Sequence, residues 1–231
     1  MPLFVLELTK FIGEIMKKLL MALLMVGLLA STAYASVTMS FQGLGNLEPV
    51  DNYYNGGFGG SGSGPGPNYG VVWGSDSLAL INSSSGGTGN TGNEPSGGNT
   101  CLIFLSGAGD IMDVAAGFTT GFSFYYSAPY YPGSVTVYSG LDGTGTQLAY
   151  LSLATTPAGP PGENYSIWQP IGVTFSGTAE SAIFSGTANY IAFDEVTIGS
   201  ATPGVPEPAT LLLLGSGLVG LAALKKRFRK A

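Results

Sequence analysis

Within residues 36–204 apolar side chains recur at every second position in short runs, and no stripe of period 3.6 runs through them. Period two belongs to a strand that shows one face to a core and the other to water. Such a chain must bury its apolar faces sheet against sheet. Candidate strands fall at residues 37–41, 71–73, 78–81, 101–105, 121–126, 134–138, 147–153, 171–175, 181–185 and 190–198. Pro132-Gly133 and Asp142-Gly143 supply turns between them. The alternation is cleanest from Ser134 to Tyr138, where Val135 and Val137 share one face. Roughly ten short strands predict an all-β, jelly-roll-like β-sandwich. A β-helix is the alternative, but no fixed repeat is present. Residues 55–69 and 83–100 are loops rich in Gly, Ser, Asn and Pro, long enough to predict mobility or function.

The charge distribution narrows the chemistry. All 8 Lys and Arg lie outside residues 36–204, and the chain has 0 His. Within that span stand only acids: Glu48, Asp51, Asp76, Glu94, Asp110, Asp113, Asp142, Glu163, Glu180, Asp194 and Glu195. Without bases the segment cannot neutralise phosphates, so nucleic acid is excluded as a partner. Without histidine it can build neither a Ser-His-Asp triad nor a His-containing zinc site. No acid here can form a side-chain salt bridge with another residue of the span. Each is solvated, hydrogen-bonded or bound to a cation, and Ca²⁺ is the natural one. Cys101 is the only cysteine, so an intramolecular disulfide is impossible. Its apolar context predicts a small buried hydrophobe.

Both ends have a different character. Met16-Lys17-Lys18 opens a basic n-region, residues 19–30 are apolar, and Ala33-Tyr34-Ala35 is an A-x-A site. These make residues 1–35 a secretory signal peptide, with cleavage before Ser36 by signal peptidase and Met16 as the more natural start. Residues 199–204 read as a linker. Val205-Pro206-Glu207-Pro208 follows, then a 16-residue apolar run at 209–224, then Lys225, Lys226, Arg227, Arg229 and Lys230. The prolines cannot lie inside a helix. As a helix the run reaches about 24 Å, short for a bilayer core of roughly 30 Å but long enough with thinning and snorkelling. The basic cluster is a membrane stop that leaves the preceding domain outside the cytoplasm.

Residues 205–230 closely resemble the PEP-CTERM sorting signal of polysaccharide-exporting bacteria. The resemblance implies recognition and cleavage by an exosortase at or near residues 206–208. It also implies an inner-membrane-anchored precursor that ends at the cell surface or in the extracellular matrix. Shorter pieces resemble the passenger domains of such proteins: residues 52–57, 68–71, 137–145 and 191–196. No activity transfers with them. In that family an acidic pair often precedes an aliphatic residue in the last strand, as in Asp194-Glu195-Val196. Similar strands close jelly-roll carbohydrate-binding modules, an analogy of fold only.

Few constellations carry chemistry. Gly57-x-Gly59-x-x-Gly62 and Gly87-x-Gly89-x-x-Gly92 match the dinucleotide fingerprint, but neither opens a helix. Asp110 and Asp113 could line a Ca²⁺ site or form a glycosidase pair, but positions three apart on a strand face opposite ways. A solvated turn acid beside an edge acid is the favoured reading. Asp194 and Glu195, adjacent on a strand, are expected on opposite faces. One of them, with groups near Glu48 and Asp51, is expected to hold a structural Ca²⁺ joining the chain ends. Tyr53, Tyr54, Tyr69, Trp73, Tyr125, Tyr126, Tyr130, Tyr131 and Trp168 are available to stack on sugars, although aromatics in sandwiches are commonly core. Tyr130-Tyr131, between Pro129 and Pro132, is the expected platform at a loop tip. Together these point to a non-enzymatic, surface-sorted β-sandwich that binds extracellular polysaccharide. The rivals are a carboxylate-dependent polysaccharide-active enzyme and a structural adhesin.

Overall fold

The computed structural model describes residues 36–107 and 109–204. The signal-peptide segment with Ala33 and Ala35, the sorting residues 205–208, the apolar run 209–224 and the basic stop lie outside the described residues. Among those described, no helix is long and apolar enough to cross a membrane.

Twelve strands alternate with turns: β1 (Val37–Met39), β2 (Glu48–Pro49), β3 (Val72–Trp73), β4 (Leu78–Ile81), β5 (Thr100–Ile103), β6 (Gly109–Phe118), β7 (Gly121–Ser127), β8 (Gly133–Tyr138), β9 (Gln147–Leu153), β10 (Gln169–Thr174), β11 (Ala179–Ser185) and β12 (Ala192–Ile198). One sheet runs β10-β7-β12-β5-β4-β2, with β1 also on β12; the other runs β3-β6-β11-β8-β9. Counting from β5, the first, eighth, third and sixth strands share one sheet, and the second, seventh, fourth and fifth share the other. That interleaving is the jelly roll, two Greek keys wrapped face to face. All ten predicted strands are present, β4 and β9 with the predicted ends and the others with shifted ones. The sequence reading missed β2 and the ten-residue β6, the longest strand.

The inward positions are filled by aromatics. Phe41, Phe104, Phe122, Phe124, Phe184 and Phe193 are all fully buried. Phe184 packs edge to face on Phe193 at 5.0 Å and on Phe122 at 5.9 Å, tying the two sheets together. Each such ring contributes on the order of 2–3 kcal/mol by burial. Leu80, Cys101, Ile103, Tyr165 and Ala192 form a smaller buried cluster against which Trp168 packs. Cys101 is thus the buried small hydrophobe expected, and burial pushes its thiol pKa well up.

Both long loops are tied down. Thr91 pairs with Tyr165 in a parallel bridge, and Trp168 Nε1 donates to the Gly92 carbonyl at 2.9 Å. In the 55–69 loop, Ser61 and Ser63 donate their amides to the Glu48 carboxylate at 3.0 and 2.9 Å.

The antiparallel registers sort the connections by end. Ile103 opposes Leu78, Ser127 opposes Ala192, Tyr126 opposes Gln169, and Gly133 opposes Leu153. The β3–β4, β5–β6, β7–β8, β9–β10 and β11–β12 connections therefore gather at one end of the sandwich. Ile198 opposes Phe122 and Val37, and the Gly199 amide donates to Gly121 at 2.9 Å, so the chain leaves β12 at the other end.

Candidate functional site

Three of those gathered loops each present a tyrosine. Tyr130 and Tyr131 come from β7–β8, Tyr165 from β9–β10 and Tyr190 from β11–β12. Tyr130, Tyr131 and Tyr190 are 47 %, 46 % and 37 % exposed, while Tyr165 is buried beneath them. Tyr131 and Tyr190 meet edge to face at 4.8 Å, and Tyr130 meets Tyr190 at 5.9 Å and Tyr165 at 6.0 Å. Edge-to-face contact is the preferred geometry of such rings, and it fixes their exposed faces in place. Pro129 and Pro132 bracket the loop tip and restrict its backbone.

Amides frame the rings. Asn164 Nδ2 donates to the Tyr130 hydroxyl at 2.7 Å, and the Tyr165 hydroxyl donates to the Asn189 carbonyl at 3.3 Å. Asn90, Thr91, Tyr165, Asn189 and Ile191 line a small cavity of about 20 Å³. It has room for a single water. Rigid exposed aromatic faces beside amide and hydroxyl groups suit a ligand with alternating apolar faces and hydroxyl edges.

The structure thus places Tyr130 and Tyr131 exposed at the surface, as expected, with Tyr190 packed beside them. Tyr190 was assigned to the last strand in the sequence reading, but β12 starts only at Ala192. Tyr190 lies in a turn whose amide donates to Thr187 at 3.1 Å. Of the remaining candidates, Tyr69 is exposed, Tyr125 and Trp168 are half-buried, and the other four serve the interior. Tyr53, Tyr54, Trp73 and Tyr126 are buried, and the Tyr54 hydroxyl accepts from the Phe41 amide at 2.6 Å.

Of the acids expected to share a calcium ion, Glu48 and Asp194 have protein partners of their own. Among the described residues no three acidic or cysteine side chains cluster as a metal cage. Glu48 spends both oxygens on protein donors: Oε1 on the Ser61 and Ser63 amides, Oε2 on the Gly45 amide and the Ser63 hydroxyl. Burial alone would raise its pKa, but the Ser63 hydroxyl and the three amides outweigh this and hold it below the ordinary value. Asp51 sits nearby at φ 44° with its backbone in the left-handed region. Asp194 accepts from the Ser96 amide at 3.2 Å and the Glu195 amide at 2.8 Å. Glu195 occupies a β-bulge at φ 50°, where the pairing of β12 with β7 slips between Asp194 and Thr197. The bulge breaks the strict alternation that would have separated the two carboxyls cleanly. Burial pushes Asp194 up to about 8; the nearby Glu195 charge adds to this, and the two amides offset only part.

Asp110 and Asp113 also depart from expectation. Asp110 is not a solvated turn acid: it points inward from β6, on the face shared with Met112 and Val114, and is 1 % exposed. Asp113 points outward, where its Oδ1 accepts from the Asp142 amide at 2.9 Å. The two lie on opposite faces, so they do not flank one cleft.

At its C-terminal side the chain carries a match to the PEP-CTERM protein-sorting motif at residues 204–227. That motif marks an exported, membrane-anchored precursor processed for the surface. The domain preceding it is an all-β sandwich, similar in part to solved carbohydrate-binding and adhesin domains. One is the carbohydrate-binding module CBM6cm-2 of Cellvibrio mixtus lichenase 5A in complex with cellotriose, at 13 % identity over 55 % of this chain and 88 % of that one, TM-score 0.36. A β-1,3-glucan-binding CBM6 from Bacillus halodurans aligns at 15 % identity over 53 % of this chain and 83 % of its own, TM-score 0.33. The K1 cleaved adhesin domain of Lys-gingipain from Porphyromonas gingivalis W83 aligns at 16 % identity over 71 % of this chain and 97 % of its own, TM-score 0.36. No curated protein matches the chain.

Proposed function

We propose that this is an exosortase-processed surface or matrix protein whose sandwich binds extracellular polysaccharide without transforming it. The observation that carries the reading is the exposed cluster of Tyr130, Tyr131 and Tyr190, framed by Asn164 and Asn189, at one end of the jelly roll. The chain leaves toward the sorting motif from the opposite end, beyond Ile198. A domain held by its C-terminal side therefore turns the aromatic end away from its attachment. Sugar rings place their apolar faces on tyrosine faces, and side-chain amides reach the ring hydroxyls. The excess of acids suits a hydrated, cation-rich matrix and disfavours polyanionic chains, so neutral glucans or similar neutral polysaccharides are the expected class.

The test is a glycan array and a pull-down on matrix polysaccharide with residues 36–204, run with Ca²⁺ and with EDTA. Binding to neutral glycans that is lost in Tyr131→Ala and Tyr190→Ala supports the proposal. Binding that survives both substitutions, or no binding at all, overturns it and favours the adhesin reading, with a protein partner to be sought.

A further inference from the structure

Three polar atoms near the start of β6 and in the turn before β4 are buried without a well-formed hydrogen bond. The Ser77 hydroxyl lies beside the Asp110 carboxylate, yet neither it nor either carboxylate oxygen has a well-formed hydrogen bond among the described residues, and both residues are at most 1 % exposed. A buried carboxylate that stays charged and unpaired is among the most costly arrangements a core can hold. Elsewhere the protein avoids it: the Glu48 carboxylate receives four donors. Asp110 stands out against that treatment.

Its surroundings are oxygen-rich. The β3–β4 turn is anchored beside it, with the Gly74 amide donating to the Ile111 carbonyl at 2.8 Å and the Ser77 amide to Gly74 at 3.1 Å. This turn sets Ser77 inward and leaves Asp76 above it at the surface. The loop entering β6 closes on the same turn, for Ser106 Oγ donates to Asp76 Oδ1 at 3.0 Å. A Cβ on Gly107, at φ 72°, would come within 3.3 Å of Asp76 Oδ2, so the loop backbone approaches that carboxylate closely. Burial pushes Asp110 up to about 8; Ser77 offsets part of this and the Asp76 charge adds to it. A cation near both carboxyls would favour their charged forms and oppose that rise.

We infer that Asp110, Asp76 and the Ser77 hydroxyl form the core of a Ca²⁺ site that locks the β3–β4 turn and the β5–β6 loop together. The donors are all hard oxygens, with one ligand buried and one at the surface, an arrangement Ca²⁺ accepts with backbone carbonyls and waters completing its shell. Nitrogen and sulfur ligands, which softer metals prefer, are not among these donors. Both joined segments lie at the end that carries Tyr130, Tyr131 and Tyr190, although the site does not depend on sugar binding.

The test is thermal melting of the full chain in detergent, followed by tryptophan fluorescence, in EGTA and in CaCl₂. Trp73 lies directly before the turn and reports on it. At a hundredfold excess of Ca²⁺ over Kd, the melting temperature should rise by about 5–10 °C. Asp110→Asn keeps the side-chain shape and should abolish the rise, and Asp76→Asn should weaken Ca²⁺ binding at least tenfold. Asp194→Asn should leave it unchanged. No rise in the unsubstituted chain, or a rise that persists in Asp110→Asn, overturns the inference. If Asp110→Asn does not fold, the surface substitution Asp76→Asn decides: an unaltered Ca²⁺ response refutes the site.

Discussion

Glu48→Gln is the substitution whose cost follows most directly from geometry. The carboxylate accepts from three amides and one hydroxyl, and the residue is 1 % exposed. Glutamine has the same shape but one acceptor oxygen. That oxygen can keep the Ser61 and Ser63 amides as neutral bonds, and the Ser63 hydroxyl can rotate to accept from the new NH₂. The Gly45 amide then faces a donor and is left unsatisfied. Hydrogen bonds to a charged group are worth about 1.5–3 kcal/mol, and a buried orphan donor costs about 1–3 kcal/mol. Losing one charged bond, weakening others and orphaning one amide comes to about 4 kcal/mol. For a domain of this size that is a fall in Tm of about 8–16 °C. The pH dependence adds a second check. The folded-state pKa of Glu48 lies below its ordinary value, so its carboxylate stabilises the fold above the unfolded pKa. That contribution is lost as pH falls through the folded pKa. The gap between the two proteins, measured by thermal or urea melting, should therefore be full at pH 7 and shrink below about pH 4. A gap under about 1 kcal/mol at pH 7, or one that is the same at pH 3, refutes the reasoning.

Other outcomes follow from the same physics. Asp194 has a folded pKa of about 8, far above the ordinary carboxylate value, so between pH 4 and 8 the folded state holds a proton that the unfolded chain has released. Stability should fall across that window as pH rises, and Asp194→Asn should flatten the fall in melting curves at pH 5 and pH 8. Tyr131→Ala and Tyr190→Ala should each weaken glycan binding roughly tenfold to thirtyfold by calorimetry, and the double variant should lose less than the two combined, because the rings brace one another. Cys101 is wholly buried, so native protein should not react with a thiol reagent. Cys101→Ser should cost about 1–3 kcal/mol in urea unfolding.

The strand pattern was legible because alternation is local. The β8 run shows it: Val135 and Val137 are buried while their neighbours are not, as the period-two pattern requires. β6 was invisible for the opposite reason. Its sequence, Gly-Asp-Ile-Met-Asp-Val-Ala-Ala-Gly-Phe, has weak strand propensity and places an acid at an inward position. It is a strand because β11 and β3 pair with it on either side, a long-range fact that no window of ten residues contains. Tyr190 was misplaced by the short distance from a turn to a strand. Several carboxylates of this acid-only segment receive backbone amides, among them Glu48, Asp113 and Asp194, and local sequence patterns do not reveal such long-range donors.

The sequence by itself determined the sorting tail, the all-β character and the lack of any basic side chain within residues 36–204, since each depends only on residue type and near-neighbour spacing. Tertiary structure alone decided which acids are satisfied and which is stranded. It also decided which tyrosines leave the core and at which end they gather. Those outcomes depend on strand register and on loops meeting across about sixty residues, as Tyr130 and Tyr190 do, and the jelly-roll interleaving brings β5, β7 and β12 side by side only when the whole domain has folded.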